Sequence, residues 1–197
     1  MSQTRAQLVK GFSNTSASAD VITVDSSANV GINKTSPVKD LDVTGEIRAS
    51  TGILFGTDTA AANTLDDYEE GTWTPVFFDI LGGTLSCGYS QQSGNYTKVG
   101  NTVTCTAVII CSSVTGTASA VGVSGLPFAN FSGARSSGSI GNNAAFSSLV
   151  PTDVITRTGL DSLQLRANDK AANSTNIGSG NLTASSRIDF TITYFVA

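Results

Sequence analysis

The sequence predicts an all-β protein, and three observations point there. Charged residues make up 13% of the 197, about half the ordinary share of ~25%, and Gly, Ser, Thr, Asn and Ala fill their place. Short runs of β-branched and aromatic residues recur along the chain, with turn residues between them. The last run alternates, with Ile188, Phe190, Ile192 and Tyr194 on one side and Asp189, Thr191 and Thr193 on the other. That is the period of a strand with one face buried and one wet. A hydrophobic share of 40% excludes a charged disordered tail.

The composition suits an extended β structure with much surface and little interior, which gains a core by sharing it between copies. A monomeric β-sandwich is the rival reading. The expected order is an N-terminal arm at 1–17, a short intertwined β-prism-like shaft at 18–58, a linker or short helix at 59–70, and a jelly-roll-like β-sandwich at 71–197.

In the arm, Thr4 to Lys10 suits a turn or two of helix capped by Thr4, and Ser13 to Ser18 reads as a joint. Such an arm either docks the protein onto something larger or is a disordered terminus. The shaft is predicted from pieces of three or four residues: Val21–Val24, Val30–Ile32, Leu41–Val43, Ile47–Ala49 and Ile53–Phe55. Strands this short do not form a stable sheet alone. Copies wound around a common axis would bury Ile22, Val24, Ile32, Leu41, Val43, Ile47 and Leu54 together. The segment 59–70 is Ala-rich and then acidic, with Asp66, Asp67, Glu69 and Glu70 repelling one another. It reads as a solvated linker. A calcium site or a site for a basic partner is the alternative, although the alternating ligand pattern of a calcium loop is missing.

From residue 71 onward, strand candidates recur at sandwich-like spacing: Thr72–Phe78, Thr84–Ser90, Gly94–Val99, Thr102–Cys111, Ala118–Val123, Ala134–Ile140, Val154–Thr158, Leu163–Arg166 and Arg187–Phe195. Gly100-Asn101 fits a two-residue hairpin. Trp73 and Phe128 are expected in the core, with sugar stacking as the other use for Trp73.

Little in the chain suits catalysis. It has no His, which removes Ser-His and Cys-His nucleophile systems and the commonest metal ligand. Cys87, Cys105 and Cys111 lack zinc spacing. Cys105 and Cys111 sit in one strand, roughly 20 Å apart by the usual rise, against the ~7 Å limit for a disulfide. All three are expected as buried free thiols. No Gly-rich phosphate loop ends in Lys-Ser/Thr. A glycosidase pair would need two of Asp153, Asp161, Asp169 and Asp189 to converge in a groove. We therefore expect no enzyme, no cofactor and no metal. The 11 basic residues are scattered and the net charge is -4, so nucleic acid is not an expected partner. There is no apolar run of spanning length and no signal-like N-terminus, so synthesis in the cytoplasm without a signal peptide is expected, with exit only by lysis or as part of a particle.

Two stretches resemble a known family. The first is Ile22 to Ser50, where Asn-Val-Gly-Ile (Asn29–Ile32) leads to Ser36-Pro37 and then Leu-Asp-Val-Thr-Gly (Leu41–Gly45). It is similar to the stalk pattern of tail-fibre-like proteins of marine phages. The second joins Asp-Tyr-Glu-Glu-Gly-Thr-Trp-Thr-Pro (Asp67–Pro75) to Tyr-Thr-Lys-Val-Gly-Asn (Tyr96–Asn101) and Gly-Leu-Pro-Phe (Gly125–Phe128). It resembles heads of such virion fibres. The resemblance implies a homotrimer with a short stalk. The arm 1–17 would dock on a portal, tail or capsid protein, and the head would meet a host-surface glycan or protein. The implied role is a tail fibre or receptor-binding protein of the virion. A capsid-mounted fibre or decoration protein is the alternative, and a polysaccharide-degrading spike a further one. Candidate receptor-facing residues lie in two polar loops: Asn130, Ser132 and Arg135 in Phe128 to Arg135, and Asn173, Asn176 and Asn181 in Ala167 to Asn181.

Overall fold

The computed structural model describes residues 22–57, 59–60, 64–169 and 172–197. The expected arm 1–17 and parts of the Ala-rich segment at 58–63 lie outside the described residues. The chain's contacts divide it into two units, residues 1–51 and 52–197. The described structure is all-β, and its helical content is one 3-10 turn, Ser179–Asn181.

The first unit contains a three-stranded sheet: β1 (Ile22–Val24), β2 (Val30–Ile32) and β3 (Leu41–Val43), in that order. β1 and β2 are antiparallel, and β2 and β3 are parallel. The β1–β2 turn is built by Asp25. Its Oδ1 accepts the backbone N–H groups of Ser27 (2.8 Å) and Asn29 (2.9 Å), and its Oδ2 accepts from the Asn29 amide at 3.0 Å. This is the side-chain-to-backbone bonding that favours Asp in turns. Gly31 is required because Lys34 folds back over it: a Cβ there would meet the Lys34 carbonyl oxygen at 2.4 Å. The motif from Asn29 to Gly45 is thus one structural unit. Asp40 accepts the Val30 N–H, Ile32 accepts the Thr44 N–H, and Pro37 is buried in the connection. The strands expected at Ile47–Ala49 and Ile53–Phe55 do not form. Ile53 instead makes a single bridge with Leu65.

The second unit is one ten-stranded sheet. Its strands are β4 (Tyr68–Trp73), β5 (Val76–Asp79), β6 (Leu85–Val99), β7 (Thr102–Gly116), β8 (Val121–Ser124), β9 (Ser137–Ala144), β10 (Asp153–Thr156), β11 (Ser162–Asp169), β12 (Ala172–Asn176) and β13 (Arg187–Phe195). Their order is β4-β6-β7-β13-β9-β10-β11-β8-β5, with β12 also on β11. The two end strands, β4 and β5, are joined by Thr74-Pro75 alone, so the sheet must curl until its ends approach. The sequence suggested separate strands packed as a jelly-roll-like sandwich; hydrogen bonds instead run through one curled sheet around a single core. Cys105, Ile109, Val121, Val123, Leu163, Leu165, Ile188, Ile192 and Tyr194 fill that core.

The alternation of β13 is as expected: Ile188, Phe190, Ile192 and Tyr194 are buried. The hairpin at Gly100-Asn101 also forms, with Val99 opposite Thr102 and Gly100 at φ 56°, a backbone value that suits glycine. Two other expectations change. The acidic run, read as a linker or short helix, contributes Tyr68 to Glu70 to β4. The segment 167–181, read as a loop, contains the end of β11, all of β12 and the 3-10 turn.

Candidate functional site

The first candidate surface is the small sheet. Ile22 lies opposite Ile32 and Val24 opposite Val30, while Val30 and Ile32 pair with Leu41 and Val43. Directly paired residues share a face. Six aliphatic side chains therefore lie on one face, and Thr23, Gly31 and Asp42 lie on the other, where Lys34 pairs with Asp42 at 3.6 Å. The aliphatic face is open: Ile22 is 37%, Leu41 57% and Val24 65% exposed. Of the expected shaft residues, the sheet brings together Ile22, Val24, Ile32, Leu41 and Val43. Ile47 and Leu54 are exposed but belong to no strand, and Leu54 falls in the second unit. Val30 was missed. Its period-2 spacing from Ile32 was the signal, but the strand was too short to show a pattern.

The head motifs converge on one corner of the second unit. Trp73 is 7% exposed; its Nε1 donates to the Thr106 carbonyl (3.1 Å) and its ring meets Phe190 edge-on at 6.3 Å. Sugar stacking by Trp73 is thereby excluded, because its faces are spent in the core. On the neighbouring strand Gly94 lies opposite Trp73, and Tyr96 lies opposite Gly71. Each aromatic ring covers the facing glycine, where a Cβ would come within 2.7 Å of ring atoms or closer. Phe128 stacks edge-on against Tyr96 at 5.6 Å, and the Lys98 ammonium sits 5.4 Å from the Phe128 ring centre while pairing with Asp67. The Gln92 amide donates to the Pro75 carbonyl at 2.8 Å. The motifs form a packing corner.

The candidate receptor-facing residues do not form one surface. Asn130 is 3% exposed; its amide donates to the Phe131 (2.8 Å) and Ala134 (2.7 Å) carbonyls. It is corrected from a surface contact to the peg that shapes its loop, on which Ser132 and Arg135 are exposed. Asn173 falls in β12, and Asn176, at the end of that strand, accepts from Gln164 at 2.7 Å. The Asn181 side chain ties its turn together, accepting from the Gly178 N–H (2.9 Å) and donating to Ser148 (3.0 Å). The two groups lie at opposite ends of the 15-residue β7. Phe131 bonds to Phe195, which pairs with Thr102, whereas Ser179 bonds to Gly116.

A different polar surface emerges on the outer face of β6, β7, β13 and β9. A cleft of about 230 Å³ is lined by Ser93, Asn95, Thr106, Asp189, Thr191 and Gly141, together with the apolar Ala107, Val108 and Phe190. Ser93, Asn95, Thr106 and Thr191 are exposed. At Asp189 the register of β13 against β9 shifts, which opens the floor beside Gly141. The Asp189 carboxylate is held by the Arg187 guanidinium through contacts of 2.7–3.2 Å, and this pairing raises the Arg187 pKa. Asp153 is likewise engaged by Arg166, at 2.5 Å. The outward residues of β13 read in sequence only as a wet face. Their meeting with Ser93 and Asn95 required the pairing of distant strands. Among the described residues, no group of three or more acidic or Cys side chains could hold a metal ion, and no helix is long and apolar enough to cross a membrane.

One solved structure with this fold is the Dettilon tailspike protein (gp208), which superposes with a TM-score of 0.54 at 16% identity. The match covers 65% of this chain and 24% of that one, so the chain spans about a quarter of the tailspike's length. No protein family and no curated protein sequence matches the chain. At this identity the likeness is one of fold.

Proposed function

We propose that the protein is a bacteriophage virion fibre that works as a homotrimer and attaches the particle to its host. The observation that carries this reading is the open aliphatic face formed by Ile22, Val24, Val30, Ile32, Leu41 and Val43. Three strands of three residues cannot hold such a face in water alone. Copies of the same chain supply the missing cover, as a shaft does, and tethered heads then engage a repetitive surface with added avidity. The stalk and head motifs, and the fold shared with a phage tailspike, favour the virion setting. Residues 1–17 are the proposed dock to the tail or capsid.

The heads are proposed as adhesins without catalysis, with the outer-face cleft as the seat for a host-surface glycan. Its exposed hydroxyls and amide suit sugar hydroxyls, and Asp189 is engaged by Arg187 rather than free for acid–base work. Sedimentation of the purified chain tests the assembly: a trimer mass is expected, and a monomer removes the shaft. Adsorption assays test the role, since added protein should block the phage from its host. The fold likeness to a tailspike favours a second reading, a glycan-degrading spike. Incubation with host-surface polysaccharide separates the two: retention without released oligosaccharide fits an adhesin, and release fits an enzyme.

A further inference from the structure

The β6–β7 hairpin is irregular at one place. Cys87 lies opposite Val114 and Tyr89 opposite Cys111, and the register skips Ser112 on one strand and Ser90 on the other. Two residues there have no counterpart in the ladder, so the pairing is weakest at this point. Cys87 and Cys111 both face the core at that site, and the ladder sets them on successive core-facing pairs, Cys87 with Val114 and Tyr89 with Cys111. Cys111 is buried, whereas Cys87 is partly open to solvent. Cys105 lies deeper in the core, beside Tyr194.

We propose that Cys87 and Cys111 are an oxidation site at which hydrogen peroxide drives an intrachain disulfide, stapling the hairpin across its double bulge. The chemistry balances. The Cys87 thiolate sulfur attacks one peroxide oxygen and the O–O bond breaks. Hydroxide leaves, takes up a proton to become water, and Cys87 becomes a sulfenic acid. The Cys111 sulfur then attacks the Cys87 sulfur and the S–O bond breaks. The departing hydroxide takes the Cys111 proton as a second water. Two thiols are oxidised and one peroxide is reduced. A partly exposed thiol beside a resolving thiol is the arrangement that this sequence needs. The roles are assigned by environment: Cys87 is partly open to solvent and Cys111 buried, and the neighbouring thiol holds the Cys87 pKa down while the same neighbour, with burial, pushes the Cys111 pKa up. Burial raises Cys105 to about 12, so that thiol stays inert.

The test is thiol counting on the full-length chain, unfolded after treatment with stoichiometric hydrogen peroxide. The three free thiols should fall to one, with a mass loss of about 2 Da. Proteolytic mapping should find a Cys87–Cys111 link within one chain. In the Cys111→Ser variant, peroxide should leave a Cys87 sulfenic acid that dimedone traps, while Cys105→Ser should keep the link. Three surviving thiols, oxygen added without a link, a link through Cys105, or a link between chains on a non-reducing gel would each overturn the proposal. Because wild-type mapping answers the question directly, it stands even where a variant fails to fold.

Discussion

At the scale of single residues, the strongest constraints come from pairs that only one residue type can fill. Trp73 covers Gly94 so closely that a Cβ there would sit 2.3 Å from its Nε1. Trp73→Ala should therefore cost about 3–5 kcal/mol by emptying the corner, and Gly94→Ala about 1–3 kcal/mol by overfilling it; urea unfolding checks both. The Tyr194 hydroxyl donates to the Phe128 carbonyl at 3.0 Å from inside the core, and burial raises its pKa. Tyr194→Phe should cost about 1 kcal/mol while leaving the fold intact. Asp25 carries a pH dependence of known sign. The Asn29 backbone N–H, with further help from the Asn29 amide and the Ser27 N–H, lowers its pKa below the ordinary 3.8. A carboxylate depressed in the folded state stabilises its turn fully above the unfolded value. That support is lost as pH falls through the depressed folded value. The Ser27 and Asn29 amide resonances should accordingly stay fixed from neutral pH to about 4 and move only below it.

At the scale of elements, the small sheet and the head obey different rules. Each strand of β1–β3 is too short to bury its own aliphatic side, so its stability depends on what covers that side. Val24→Asp or Leu41→Asp should abolish the proposed trimer in sedimentation without altering the head's melting, because neither side chain supports the head's core. A Thr23→Asp control lies on the opposite face and should leave the assembly mass unchanged. In the head, β4 shows how partners override local composition. Asp66, Asp67, Glu69 and Glu70 favour a solvated linker, yet Glu69 and Glu70 sit in a strand because Lys98 and Thr97 lie opposite them. The Tyr96 hydroxyl donates to Glu69 and the Tyr68 hydroxyl to Glu70, while Lys98 pairs with Asp67. These partners relieve the repulsion that the bare sequence implied.

At the scale of the whole molecule, the chain's contacts separate at residue 51, and the buried core lies in residues 73–196. A fragment of residues 52–197 should keep the melting transition of the head and lose the proposed oligomeric state, as read by circular dichroism and sedimentation. A trimer formed by that fragment would move the proposed assembly interface from the small sheet to residues 52–197. The curled sheet also explains why loops distant along the chain fail to form one binding surface. Its outer face, not its loop tips, presents the cleft, because strands from residues 93, 106, 141 and 189 lie side by side there.

Local chemistry in the sequence was enough to specify the β class, the alternation of β13, the Gly100-Asn101 hairpin, the core place of Trp73 and five of the six aliphatic residues on the small sheet. Each follows from a period or a turn preference acting over a few residues, and such terms do not depend on remote partners. Tertiary structure alone decided the rest. The curl of one ten-stranded sheet, the burial of Asn130, the strand made by Tyr68–Glu70 and the placing of Cys87 and Cys111 on successive pairs of one ladder all require pairing between segments apart in the chain. Register across strands, which one residue of slippage would invert, is set by the closing of the whole core.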